Sequence, residues 1–198
     1  MADFDGFNIN WEGLSTVRIE DAGFTVAVDP VKDSEFSADI ILVTGNDPEH
    51  FDPETIDKVS NGRTCVVVPK EIDRGQVPLE DTESIGSGET IDVYGVEIEA
   101  VGPSDSFGYR FRMRDKDFYI PGKLELDESL MDIEGCVDIA FLPVNGEMLD
   151  VDEAVKAAVM IKPSTVIPYH RDSDDREVDL KAFQAEVEDR NIGFSNLG

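Results

Sequence analysis

The sequence predicts an α+β fold in which two packed β-sheets are covered by helices. Two observations carry that reading. Apolar segments of strand length recur from residue 15 to residue 170, and the helical patterns fall between and after them without regular alternation. At 198 residues the chain is long enough for one sizeable core and short for two, so residues 1–198 read as a single domain.

Each element has its own signal. STVRIE (15–20) and FTVAVD (24–29) alternate apolar and polar residues around Asp21-Ala22-Gly23, which predicts a hairpin. ADIILVT (38–44) is a continuous apolar run and predicts a buried central strand. PETIDKVSNGR (53–63) predicts a short helix with Pro53 in its first turn and an Asn61-Gly62 stop. RTCVVVP (63–69), TIDVYGVEIEAV (90–101), FGYRFRM (107–113), KDFYIPG (116–122) and VDIAFLPV (137–144) read as strands. DVDEAVKAAVMIK (150–162) has helical apolar spacing and an acidic first turn that suits the helix dipole. STVIPYH (164–170) returns to strand, and EVDLKAFQAEVEDR (177–190) is a final amphipathic helix. No internal repeat, low-complexity tract or linker interrupts this order.

Charge is the strongest global signal. Against 17 basic residues stand 44 acidic ones, a formal net charge of −27, and such a field repels nucleic acid and anionic membranes. The acids are spread through DSEFSAD, PLEDTESI, LELDESLMDIEG and RDSDDREVD, with apolar segments of normal length between them, so this is not a disordered acidic tail. Self-repulsion of this size is tolerable where salt screens it, over about 3 Å at 1 M. The composition, scarce in Lys, resembles that of proteins from salt-in halophiles. No segment approaches the eighteen or so apolar residues of a membrane span, and MADFDGFNIN lacks the basic and apolar parts of a signal peptide, so a soluble cytoplasmic protein is expected. Cys65 and Cys136 border apolar runs, which suits buried free thiols.

Several motifs carry little chemistry. Gly86-Ser87-Gly88-Glu89 lacks the lysine and following helix of a phosphate loop and reads as a turn before a strand. Asp172-Ser173-Asp174-Asp175 lacks the central glycine and closing glutamate of a calcium loop and reads as a hydrated acidic loop. Arg110, Arg112 and Arg114 alternate with Tyr109, Phe111 and Met113. One strand face thus presents three guanidinium groups, either to an anionic ligand or, favoured by the acid surplus, to carboxylates of the same sheet.

The stretch VTGNDPEHFD (43–52) leaves the end of a buried strand, where ligands and metals gather, and it carries His50. The other histidine, His170, closes a second apolar run. In order along the chain, NWEGLSTVRIE, FTVAVDP, ADIILVTGNDPEHFD, GSGETIDVYGVEIEAVGP, FYIPGKLEL and VDIAFLPVNGEMLDVDEAVKAAVMIKPSTVIPYH resemble the successive segments of the metallo-β-lactamase fold. The likeness is to its small single-domain metal-dependent hydrolases, related to the ascorbate-phosphate lactonases, and it covers roughly residues 9 to 172. The resemblance implies a four-layer αββα sandwich of two mixed β-sheets and a metal-dependent hydrolase.

The metal loop departs from the family's pattern. Where the family has His-x-His-x-Asp-His, this chain has Gly45, Asp47, Glu49 and His50, so only the last position matches. A histidine frequent near the first strand is replaced by Leu14, the later ligand histidine has no counterpart near VGPSDSFGY, and the bridging aspartate of Gly-Asp-Thr is replaced by Lys123. His170 matches the terminal ligand. The resemblance therefore implies that the binuclear centre is lost and that Glu49, His50 and His170, with Asp47 nearby, hold one divalent cation, zinc or manganese, or none. Asp47 and Glu49 are the candidates for the catalytic base. Lys123 opposes a metal: an ammonium about 4 Å from a divalent ion costs roughly 8 kcal/mol at an effective dielectric of about 20. It is expected to act as a substitute cation that neutralises Asp47 or Glu49. Two functions stay open: a hydrolase of small esters, lactones or phosphate-bearing substrates, and a non-catalytic relative that keeps the fold as a ligand-binding or interaction module. The expected partner is a small molecule, and the oligomeric state is not legible.

Overall fold

The fold was analysed in a computed structural model that describes every residue except 1, 5, 32–33, 104–105, 125, 146–147, 171–178 and 198. The Asp172–Asp175 loop and the first two residues of the 177–190 segment lie outside the described residues.

Among the described residues, two seven-stranded sheets each follow the order of the chain. The first contains β1 (Ala2–Phe4), β2 (Phe7–Gly13), β3 (Thr16–Asp21), β4 (Phe24–Val28), β5 (Ala38–Leu42), β6 (Ser60–Pro69) and β7 (Thr82–Ile85). The second contains β8 (Thr90–Val93), β9 (Val96–Val101), β10 (Gly108–Met113), β11 (Lys116–Ile120), β12 (Ile139–Pro143), β13 (Thr165–Tyr169) and β14 (Gly193–Phe194). Both are mixed in the same way: β1 to β4 and β8 to β11 pair antiparallel, while β4 to β7 and β11 to β14 pair parallel. Parallel neighbours need crossovers. α1 (Pro53–Val59) connects β5 to β6, α2 (Val151–Ile161) connects β12 to β13, and α3 (Leu180–Glu188) connects β13 to β14.

The continuous apolar runs are explained by burial on both faces. In β5, Ile40 and Leu42 face the core between the sheets, while Ile41 and the following Val43 face outward, where they cluster with Ile56 and Val59 of α1. In the second sheet Phe141, Ile167 and Tyr169 point inward, and Ala140, Leu142 and Val166 pack outward with Ala154 and Ala158 of α2 and Phe183 of α3. The layers are therefore helix, sheet, sheet, helix, the four-layer sandwich expected. Aromatic rings organise its centre: Phe118 stacks on Phe111 at 5.5 Å and meets Phe7 edge-on at 5.3 Å.

Local signals were mostly read correctly, with four corrections. Residues 90–101 form a hairpin, not one strand, because Tyr94 (φ 55°) and Gly95 (φ 83°) both take the left-handed conformation of a tight two-residue turn. The helix from Pro53 ends at Val59 without using Asn61-Gly62 as a stop: Ser60 is already extended and opens β6, and the Asn61 amide donates to the Ala38 carbonyl at 2.9 Å. Cys65 is buried, its thiol pushed up to about 12 by burial and then by Asp81 and Glu83, but Cys136 is exposed; both are free. Strands β1, β2, β7 and β14 were not read from pattern, the short β1, β7 and β14 because they carry too few apolar residues.

The alternating arginines do find carboxylates. Arg110 pairs with Glu99 (2.9 Å) and Asp117 (2.8 Å), and Arg112 approaches Asp117 at 3.6 Å. Arg114 pairs with Asp21 (3.0 Å) and lies over the Phe7 ring. Gly86 to Glu89 is the turn before β8, with the Gly86 N–H donating to Glu89 Oε2 at 2.9 Å. Among the described residues no helix is long and apolar enough to cross a membrane.

Phe118 is fully buried between the two sheets. Its replacement by alanine is expected to destabilise the protein by about 3–5 kcal/mol, read as a shift of the denaturant midpoint at unchanged slope.

Candidate metal centre

Every side chain of the candidate site leaves the carboxyl end of a parallel strand. Asp29 follows β4, Thr44 to His50 follow β5, Lys123 follows β11, Asn145 follows β12 and His170 follows β13. At that end of a parallel array the chain must turn away, so loops from neighbouring strands converge.

The organising group is Asp29, a carboxylate only 1% exposed on a residue in the left-handed conformation (φ 44°). It accepts the Thr44 backbone N–H at 2.7 Å, the Thr44 hydroxyl at 2.6 Å and His50 Nδ1 at 2.8 Å. Facing a carboxylate, Nδ1 of His50 carries a proton, and Nε2 is left facing inward, holding a lone pair in the neutral ring and a proton in the imidazolium. That Nε2 is buried and has no hydrogen-bond partner among the described residues. The loop between them is tied by its own backbone: the His50 and Phe51 N–H groups donate to the Asp47 carbonyl at 3.0 and 2.8 Å, and Ser15 Oγ donates to the Glu49 carbonyl.

His170 arrives from the other sheet, also left-handed (φ 53°) and buried. Asn145 fixes it: the Asn145 Oδ1 accepts the Met148 N–H at 2.9 Å, which turns its amide nitrogen toward His170 Nδ1 at 3.4 Å. In that arrangement Nε2 holds the ring proton of the cation-free protein. It too is buried, without a hydrogen-bond partner among the described residues, and lies 3.8 Å from Glu49 Oε2. The two rings are 6.1 Å apart between centroids.

Of the sequence-predicted residues, Glu49, His50 and His170 come together, one ligand atom from each lying within 4.8 Å of the others. Asp47 is not in that group. Its Oδ2 sits 3.1 Å from Lys123 Nζ, and its Oδ1 accepts the Glu49 N–H at 3.0 Å. A cavity of about 130 Å³ adjoins the loop, lined in part by Gly45, Asn46, Ser106 and Phe107. Asp29, Thr44 and Asn145 were missed as functional positions. Asp29-Pro30 was visible only as a strand ending, and nothing in the sequence pairs Asp29 with His50.

The electrostatics separate the two imidazoles. Burial alone would lower His50, but the adjacent Asp29 charge, its hydrogen bond and Asp47 more than offset this and raise it above its ordinary 6.5. Burial lowers His170, and the positive charge of His50 lowers it further against the pull of Glu49. Asp47 is half-buried, which by itself would raise it, yet His50, Lys123 and the Glu49 N–H hold it below the usual carboxylate range.

These shifts give opposite stability slopes in chelator-treated protein. The His50 contribution is fully present below pH 6.5 and is lost as pH rises through its raised folded value. The contribution of neutral His170 is present above pH 6.5 and is lost as pH falls through its lowered value. Urea unfolding against pH should therefore lose one slope in His50→Gln and the opposite slope in His170→Gln. Asp29→Asn should cost about 3–5 kcal/mol at neutral pH, because three buried donors lose their charged acceptor.

Comparison with known proteins fits this geometry. Residues 8–170 match the family described as the beta-lactamase superfamily domain. A UPF0173 metal-dependent hydrolase of Thermoplasma acidophilum is 31% identical, over 78% of this chain and 75% of that protein. A second, from Methanopyrus kandleri, is 26% identical over 93% of each. Among solved structures, Igni18, a metallo hydrolase from Ignicoccus hospitalis, superposes with a TM-score of 0.80 at 17% identity, covering 96% of this chain and 94% of that one, and so shares the fold. On the family match and the 31% identical relative together, the chain belongs to the UPF0173 metal-dependent hydrolases of the beta-lactamase superfamily.

Proposed function

We propose that this protein is a hydrolase working with one divalent cation held by Glu49, His50 and His170. The observation that carries the reading is the pair of buried Nε2 atoms of His50 and His170, neither with a hydrogen-bond partner among the described residues, converging with the Glu49 carboxylate. A buried polar nitrogen without a partner is costly, and two of them facing one carboxylate fit a cation. Two imidazoles and one carboxylate form a donor set known from catalytic zinc sites, and it also accommodates manganese. A cation there supplies Lewis acidity and brings the pKa of a bound water down toward neutrality.

The remaining work belongs to the chain. Asp29 holds His50 with its Nε2 turned inward, and Asn145 and the Glu49 carboxylate bracket His170, whose Nε2 proton must leave when a cation binds. Asp47 is assigned as the base that accepts a proton from the attacking water, a role that requires Lys123 or the Glu49 N–H to release one of its oxygens. The reading supports small esters, lactones or phosphate-bearing molecules as substrates. A non-catalytic role in small-molecule binding or protein interaction is the second reading, favoured by one observation: Asp47, the fourth predicted ligand, is already occupied by Lys123.

Elemental mass spectrometry on protein purified without chelator should find about one transition metal per chain, absent in His170→Ala. Phosphodiester and lactone substrates should be turned over by the wild type and not by His50→Ala. Metal-free wild type without activity would instead support the non-catalytic role.

A further inference from the structure

Lys123 is set against the site by more than its own side chain. Its carbonyl accepts from Ser106 Oγ. The preceding Gly122 is packed so closely that a Cβ there would lie 2.9 Å from the Phe107 carbonyl oxygen and 3.0 Å from the Thr44 Cβ. Thr44 is the residue that shares the Asp29 carboxylate with His50. The backbone carrying Lys123 is thus seated on the network that orients His50, and the ammonium meets Asp47 Oδ2 at 3.1 Å.

Gly45 has no side chain, and a Cβ built on it would lie 3.4 Å from the His50 Cβ and 3.5 Å from Asp47 Oδ2. Both Asp47 oxygens are engaged, one by Lys123 and one by the Glu49 N–H. Lys123 is 62% exposed and Asp47 31%, so their pair contributes little to stability. Its effect is electrostatic, in the place where a second cation would otherwise find a carboxylate.

We propose, resting on the one-cation reading above, that Lys123 is a built-in cation that takes the place of a second metal ion. Its ammonium neutralises Asp47, limits the centre to one divalent ion, and presents N–H donors to an anionic or developing oxyanionic group of a bound substrate. An ammonium differs from a metal ion here in carrying one charge and in being supplied by folding, so the centre's stoichiometry is fixed by the sequence.

The test is calorimetric titration of zinc and of manganese into chelator-stripped protein, with elemental analysis of the complexes. The proteins are wild type, Lys123→Met, Lys123→Asp and, as a control for net charge, Lys181→Met on the exposed face of α3. Thermal unfolding without metal checks that each variant is folded. The expected result is one equivalent in wild type and control. In Lys123→Asp a second equivalent, or affinity raised about tenfold or more, is expected, with Lys123→Met between them. One equivalent at unchanged affinity in all four proteins overturns the role of Lys123 and leaves the one-cation reading intact. No binding in any of them overturns the one-cation reading and this inference with it. Binding only in the Lys123 variants keeps Lys123 as the substitute cation but overturns the one-cation reading of the wild type.

Discussion

The site depends on one buried carboxylate. Asp29 sits at the end of β4, out of water, and taking such a charge into the interior costs several kcal/mol unless every lone pair finds a donor. Here the donors come from Thr44 twice and from His50 once. Satisfying Asp29 therefore fixes the start of the loop over 44–50, puts a proton on His50 Nδ1 and aims Nε2 inward. The left-handed backbone of Asp29, a strain of order 1–3 kcal/mol for a non-glycine residue, is stabilised by the same contacts. Its carbonyl accepts the Thr16 hydroxyl at 2.7 Å, which ties the neighbouring strand β3 to the network.

The two sheets then supply the geometry. Because both run in chain order and both end in parallel strands, each places its loops at one end, and the two ends meet. His50 belongs to the first sheet and His170 to the second, so their 6.1 Å approach exists only when the sheets are packed. The hydroxyl of Tyr109 on β10 donates to the Val43 carbonyl at 2.8 Å and that of Tyr169 to the Pro121 carbonyl at 2.6 Å. The first of these crosses between the sheets directly beneath the loop that carries His50. Core packing and site assembly are thus one event, with the aromatic layer around Phe118 setting the spacing.

Charge decides how that geometry can be used. A chain of net charge −27 attracts cations everywhere, so an acidic loop is no site in itself. What distinguishes this one is buried nitrogen, two imidazoles shielded from water beside an exposed Glu49, with a lysine held against the neighbouring carboxylate. The alternating arginines show the opposite use of charge. Arg110 and Arg112 meet Asp117 and Glu99 on the sheet surface, so their charge is matched by carboxylates of the same sheet.

Sequence pattern by itself determined the two covered sheets, and the family resemblance singled out the candidate donors. Strand and helix periods, together with runs apolar on both faces, specified two covered sheets, and the position of VTGNDPEHFD after a buried strand marked the loop. Only the two histidines were eligible nitrogen ligands, so His50 and His170 were legible as well. The tyrosine-glycine turn that splits residues 90–101 was hidden because its left-handed backbone leaves the apolar alternation intact on either side. Tertiary structure alone showed which partner each carboxylate of the candidate site takes. It put Glu49 with the imidazoles, gave Asp47 to Lys123, and brought Asp29 to His50 across 21 residues of chain. The reason is physical: periodicity reports which face of an element is buried, whereas partnership between polar groups depends on distances across loops, which are fixed only when the sheets pack.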